Sequence, residues 1–114
     1  MKRAVTLKEN HEFRRLYQKG ASAGSGCMVV YCRKNRLGHN RLGITVSVKL
    51  GHAAVRNRAR RRLREVYRVN SGALTQGYDI ILVARGKTVS TGWTELNDTV
   101  WRLCRKLDLL EDEL

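Results

Sequence analysis

Residues 42–70, LGITVSVKLGHAAVRNRARRRLREVYRVN, change their hydrophobic period part-way along, and that change decides the fold class. Over Leu42–Lys49 the pattern alternates. Leu42, Ile44, Val46 and Val48 fall on one face of an extended chain and Thr45, Ser47 and Lys49 on the other, as the two-residue repeat of a β-strand requires. From Ala53 to about Asn70 the period lengthens and places Val55, Ala59, Leu63, Val66 and Tyr67 on one stripe of a helix. A strand and a helix that each own one apolar face bury them against other layers, so the stretch predicts a layered α+β fold.

Working outward, Thr6-Leu7-Lys8-Glu9 has the form of a capping box, and Phe13, Leu16 and Tyr17 recur at helical spacing before Gly20; these predict a helix over about 7–19. Residues 20–26, GASAGSG, read either as a loop or as a short edge strand. Cys27–Arg33 is β-prone, and the turn-rich KNRLGHN that follows makes a hairpin with the 42–49 strand the simplest topology. Downstream, SGALTQG ends the central helix and Tyr78–Arg85 reads as a mostly buried strand through its Ile-Ile-Leu-Val run. A last helix is expected over about 92–108, buried through Leu96, Val100, Leu103, Cys104 and Leu107. The chain length of 114 residues suits one small domain, 1–114, with two or three packed layers and little room for a large-cofactor active site.

The formal charge is +13, from 23 Lys and Arg against 10 Asp and Glu. It is unevenly spread: residues 1–70 carry a balance of +15 and residues 71–114 a balance of −2. Such an excess repels itself in a compact state unless an anion answers it, and the partner should face the first two-thirds of the chain. Nucleic acid leads the candidates; an anionic membrane surface or an acidic protein follows. The central helix sharpens this, because seven of the thirteen residues from Arg56 to Arg68 are arginine and Glu65 is the only carboxylate among them. At about 100° per residue, Arg58, Arg60, Arg61, Arg64 and Arg68 stand opposite the apolar stripe. Arg56 and Arg62 flank the stripe, where their stems can cover apolar surface while the guanidinium stays outward. A planar fork of donors suits phosphate, whereas a face that is merely solvated could mix Lys with Glu. On the first helix, Phe13 and Tyr17 stand one turn apart beside Arg14; they and Tyr31 can serve as packing residues or as stacking platforms for single-stranded bases.

Several classes fall away. No apolar run approaches the roughly 20 residues of a spanning helix and residues 1–20 lack a signal-peptide core, so a cytoplasmic protein is expected. Cys27, Cys32 and Cys104 lack the close pairing of a structural zinc site and read as buried thiols. Walker and GxGxxG loops are absent, Ser47 has no nucleophile elbow, and His11-Glu12, Glu65 and Asp79 form no paired-carboxylate or His-acid motif, so catalysis by the protein alone has no sequence support.

KLGHAAVRNRARRRLREVYR, residues 49–68, resembles the signature of the bacterial ribonuclease P protein subunit family, with Arg56-Asn57-Arg58 opening the arginine-rich helix. NHEFRRLYQKG, residues 10–20, and GYDIILVARG, residues 77–86, extend the resemblance over most of the chain. The sequence departs from the usual pattern at Leu50, His52 and Gly86, where lysine, asparagine and proline are frequent. The resemblance implies a small α+β sandwich like ribosomal protein S5 domain 2, with a four-stranded sheet, three main helices, a left-handed crossover and a short strand near residues 21–24. It further implies a non-catalytic subunit, one per RNA, of a ribonucleoprotein endonuclease whose RNA and magnesium (Mg2+) remove the 5′ leader of precursor tRNA. No organic cofactor and no membrane partner are implied. By the same resemblance Arg56, Asn57, Arg58, Arg60, Arg61, Arg64 and Arg68 face the catalytic RNA, and Phe13, Tyr17 and Tyr31 face the single-stranded leader.

Overall fold

A computed structural model describes the protein over residues 5–111. The elements run β1 (Val5–Thr6), α1 (Asn10–Lys19), β2 (Ala21–Gly24), β3 (Met28–Lys34), β4 (Arg41–Thr45), α2 (Ala53–Asn70), β5 (Tyr78–Ala84) and α3 (Trp93–Lys106). The five strands form one mixed sheet in the order β1-β4-β5-β3-β2. β5 is central because its Ile80-Ile81-Leu82 run is buried on both faces, which only an interior strand allows. It pairs antiparallel with β3 and parallel with β4. The expected β3–β4 hairpin is therefore wrong: β5 lies between the two, and α2 makes the crossover that returns the chain parallel to β4.

Among the described residues the sheet has five strands rather than the four expected. The addition is the two-residue β1, which pairs with the start of β4 and continues with Leu7 N donating to Leu42 O at 2.9 Å. That pairing takes Thr6 into the sheet, so α1 begins three residues later than anticipated and its capping interaction moves too: Glu12 Oε1 accepts from Glu9 N at 3.3 Å. β2 occupies residues 21–24 as an antiparallel edge on β3. Gly20 makes this possible, since a Cβ there would lie 2.6 Å from Leu16 O and 2.9 Å from Cys32 O, and the chain could not turn from α1 into β2 so close to β3.

The alternation read over residues 42–49 outruns its strand. β4 stops at Thr45, and Ser47 Oγ accepts from Lys49 N at 3.1 Å to cap a 3-10 turn over Val48–Leu50. A serine that bonds its own backbone in this way competes with the sheet ladder and leaves Val48 74% exposed.

Alternate strand residues feed two cores. Met28, Val30, Cys32, Ile80 and Leu82 pack under Ala59, Leu63 and Val66 of α2 and Leu96, Val100 and Leu103 of α3. On the other face a small cluster of Leu7, Leu16 and Ile81, joined by Phe13, Tyr31 and Val83, seats α1. Asn70 clasps α2 to α3, its Nδ2 donating to Val66 O and to Asn97 Oδ1, both at 2.7 Å. Cys27, Cys32 and Cys104 are buried free thiols. Burial pushes Cys32 up to about 11, and burial with Cys32 nearby pushes Cys104 up to about 12.

Candidate nucleic-acid interface

The apolar stripe of α2 is Ala59, Leu63, Val66 and Tyr67, all buried; Val55 stands at its exposed end. Arg58, Arg61, Arg64 and Arg68 are exposed on the opposite side with Asn57, and Arg60 is half-buried beside them. Arg60 Nη1 donates to Asn57 Oδ1 at 3.0 Å, which fixes both side chains on one turn. Glu65, the one carboxylate of the helix, accepts from Arg68 Nε at 3.0 Å, and that bond holds its carboxyl below the usual range. Arg56 and Arg62 are half-buried flankers, each with its Nε buried and without a hydrogen-bond partner among the described residues. The outward guanidinium expected of Arg62 is corrected: its Nη2 donates to Thr91 O, so it ties α2 to the loop before α3 instead of joining the exposed row.

On the other face of the sheet the aromatic residues divide. Tyr17 and Tyr31 meet edge to face, with ring centroids 4.9 Å apart at 83°, and the Tyr17 hydroxyl shares a 2.6 Å hydrogen bond with Thr45 Oγ1. Tyr17 thus reaches over β5 to touch both β3 and β4 while remaining 39% exposed. Phe13 instead rests against β4 at Gly43, where a Cβ would come within 2.6 Å of its ring. It lines a cleft of about 960 Å3 at the β1–β4 edge, floored by Leu7, Leu42 and Ile44 and walled by Arg60, Arg64 and Arg68. The structure therefore brings Phe13 to the arginines and Tyr17 to Tyr31.

Beside that apolar cluster, α1 is tied to the sheet by an ionic cluster that the sequence reading did not contain. Arg41, at the start of β4, donates from Nε and Nη2 to the two oxygens of Asp79, each at 2.8 Å, and from Nη1 to Glu12 Oε2 on α1 at 2.7 Å. Asn35 Nδ2 adds a bond to Asp79 Oδ1 at 2.9 Å. Burial alone would raise both carboxyls; for Asp79 the bonds from Arg41 and Asn35 reverse this, and for Glu12 the backbone at Glu9 and the charge of Arg41 do, so both are lowered. The Asp79 bond in turn raises Arg41 further above its ordinary value, against the opposing effect of burial. The only signal in the sequence was a lone carboxylate in an otherwise apolar strand.

A second groove of about 550 Å3 opens at this end of α1, lined by Arg15, Arg33, Lys34 and Arg36 together with Glu12 and Asp79. Among the described residues no group of three or more His, Cys, Asp or Glu is arranged to hold a metal ion, and no helix is long and apolar enough to cross a membrane.

Residues 1–108 match the sequence model of the family described as Ribonuclease P. The chain is 37% identical over 110 residues to the ribonuclease P protein component of Alkaliphilus oremlandii, covering 96% of each chain. It is 40% identical over 111 residues to that of Natranaerobius thermophilus, covering 97% of this chain and 96% of the relative. Among solved structures, the ribonuclease P protein of Staphylococcus aureus superposes with a TM-score of 0.83 at 32% identity over 96% of this chain and 100% of that one. The protein from Thermotoga maritima gives 0.78 at 29% identity, over 94% and 98%.

Proposed function

The chain belongs to the ribonuclease P protein family, and from that premise we propose that it works as the RNA-binding, non-catalytic subunit of a ribonucleoprotein that removes the 5′ leader of precursor tRNA. In this reading the exposed arginines of α2 hold the catalytic RNA: Arg58, Arg61, Arg64 and Arg68 as outward forks, with Arg56, Asn57 and Arg60 flanking them. Phe13, Tyr17 and Tyr31 receive the single-stranded leader, whose bases stack on aromatic faces without a fixed sequence. One protein per RNA suffices.

The observation that carries this reading is the opposition of the two surfaces. A helix with one carboxylate, already bound by an arginine, covers one face of the sheet, and an incompletely buried tyrosine pair occupies the other. A general basic protein needs the first but not the second.

Cleavage of the phosphodiester rests with the RNA and the magnesium it carries. The acids nearest the two surfaces do not fit a magnesium site, because Glu12 and Asp79 are bound by Arg41 and Glu65 by Arg68. The protein's own contribution is to lower repulsion between two RNAs and to hold the leader in register, effects that weaken as monovalent salt rises.

Reconstitution with catalytic RNA and a leader-bearing precursor, at fixed magnesium and salt, tests the reading. Purified chain alone should be inert, and its addition should increase RNA-dependent cleavage. Neutralising Arg58, Arg61 and Arg64 should weaken assembly with the RNA. Tyr17→Ala with Tyr31→Ala should weaken binding of long-leader precursor and spare mature tRNA; equal losses on both, with the fold intact, would defeat the leader assignment.

A further inference from the structure

The 550 Å3 groove between α1 and the end of β3 shares no lining residue with the Tyr17–Tyr31 pair or with α2. Four of its five cations, Arg15, Arg33, Lys34 and Arg36, come from one helix, one strand and the loop after it, and no hydrogen bond or ion pair engages their side chains among the described residues. The fifth, Arg41, binds both acids of the lining, Glu12 and Asp79, so that cluster keeps one negative charge and five cations against two acids leave the lining a balance of +3. The loop that carries Arg36 is pinned: Asn35 donates to Asp79 Oδ1 and to His39 O and accepts from Leu37 N at 2.9–3.0 Å. Among the described lining residues Leu16 is the one apolar side chain and His11 the one aromatic ring, so the groove offers chiefly charge, which a backbone can use. Unpartnered guanidinium and ammonium groups gathered in this way suit phosphodiester oxygens.

The place of the groove selects the RNA. It lies on the α1 face of the sheet, across from α2. Tyr31 and Arg33 are alternate residues of β3 pointing to that face, about 7 Å apart by strand rise. We propose that the groove binds the phosphates of the upstream part of the leader, beyond the nucleotides that stack at Tyr17 and Tyr31, through Arg15 and Arg33 with Lys34 and Arg36 behind them. The inference rests on the leader reading above. It divides that surface into an aromatic part that takes bases and a charged part that takes backbone, and it makes affinity depend on leader length as well as leader presence.

The test uses holoenzyme assembled with wild-type chain, with Arg15→Gln/Arg33→Gln, or with Tyr17→Ala/Tyr31→Ala, and a set of precursors whose leaders grow one nucleotide at a time. Neither arginine has a hydrogen-bond or ion-pair partner among the described residues, so circular dichroism should report an unchanged fold. Wild type should gain affinity at a step beyond the length that serves the tyrosines. The arginine variant should lose that gain, about tenfold, with a salt slope smaller by roughly 1.4 for two phosphates on a single strand. Short-leader precursor, mature tRNA and assembly with catalytic RNA should be unaffected. Neutral methylphosphonate linkages in the upstream leader should abolish the same gain from the RNA side. A loss that is equal on mature tRNA, a loss in assembly, or no loss at any leader length overturns the groove assignment. The tyrosine variant separates the two readings: if it loses leader dependence while the arginine variant does not, the groove fails and the aromatic surface stands, and if neither loses it, both fail.

Discussion

Arg41→Met should destabilise the protein in a pH-dependent way. The substitution keeps most of the stem and removes three charge-assisted bonds, two to Asp79 at 2.8 Å and one to Glu12 at 2.7 Å. Removing one member of a buried ion pair costs about 3–5 kcal/mol, chiefly because the other charge is left unpaired. Here the side chains are 23% exposed for Arg41, 19% for Glu12 and 9% for Asp79, and Asp79 keeps its bond from Asn35, so solvent and Asn35 reduce the cost to about 2–3 kcal/mol. At roughly 0.24 kcal/mol/K of unfolding entropy for a chain of this size, that is a fall in Tm of about 10 °C.

The sign of the pH effect follows from the two lowered carboxyls. A carboxyl whose folded pKa lies below its unfolded value contributes stability that is full above the unfolded value, near pH 4, and is lost as pH falls through the folded one. The variant should therefore differ most from wild type at pH 7, and the gap should narrow below about pH 4 as the carboxylates protonate. Thermal unfolding by circular dichroism at fixed ionic strength measures it, and adding Asp79→Asn to Arg41→Met should recover part of the loss. A gap under about 2 °C at pH 7, or the same gap at pH 7 and pH 3.5, would refute the reasoning. Because the cluster seats α1, precursor affinity should fall several-fold at temperatures where the variant remains folded, with mature tRNA affinity held.

Gly43→Ala puts a Cβ 2.6–2.7 Å from the Phe13 ring, which has to tilt off β4; a loss of about 1–3 kcal/mol in denaturant unfolding is expected. Tyr17→Phe keeps the ring over Tyr31 and removes the 2.6 Å bond to Thr45, so stability should fall by about 1 kcal/mol or less while leader affinity stays within about twofold of wild type. Asn70→Ala leaves Asn97 Oδ1 without its donor and unclasps α2 from α3, at about 1–2 kcal/mol in the same unfolding assay, with RNA affinity per folded molecule unchanged.

Local pattern revealed the elements, and it failed where partners are distant. The period of residues 53–70 gave α2 and its exposed arginines, and the Ile-Ile-Leu-Val run marked β5 as buried on both faces. Periodicity assigns a residue to a face but does not name the neighbouring strand, so the insertion of β5 between β3 and β4 was hidden and the shorter connection suggested a hairpin. The alternation through Val46 and Val48 misled for a local reason: Ser47 diverts its backbone into a capped turn. The exposed side of the arginine row was legible because one helix carries it, and the spacing of Phe13 and Tyr17 because both lie on α1, whereas Tyr31 lies on β3. Their grouping was not. Tyr17 finds Tyr31 only after β2 folds back, Arg62 turns inward to a carbonyl 29 positions on, and Arg41 joins partners 29 and 38 positions away.

The two halves of the proposed function also impose a geometric demand. If catalytic RNA lies on α2 and leader on the α1 face, the scissile phosphate must sit where those surfaces converge, and a sheet allows convergence only around an edge. The β1–β4 edge is where Phe13 and Arg60, Arg64 and Arg68 line one cleft. Successive members of that arginine row rise about 6 Å along the helix, so they follow a backbone step by step rather than clustering on one phosphate. Gly43 sets the depth of the cleft by letting the Phe13 ring rest on the strand. The short β1 then has a role beyond adding a strand: with Leu7 it closes the floor on which Phe13 and the arginines meet. A chain with the same arginine helix and the same tyrosine pair, but no such edge, could bind both RNAs and still hold them apart.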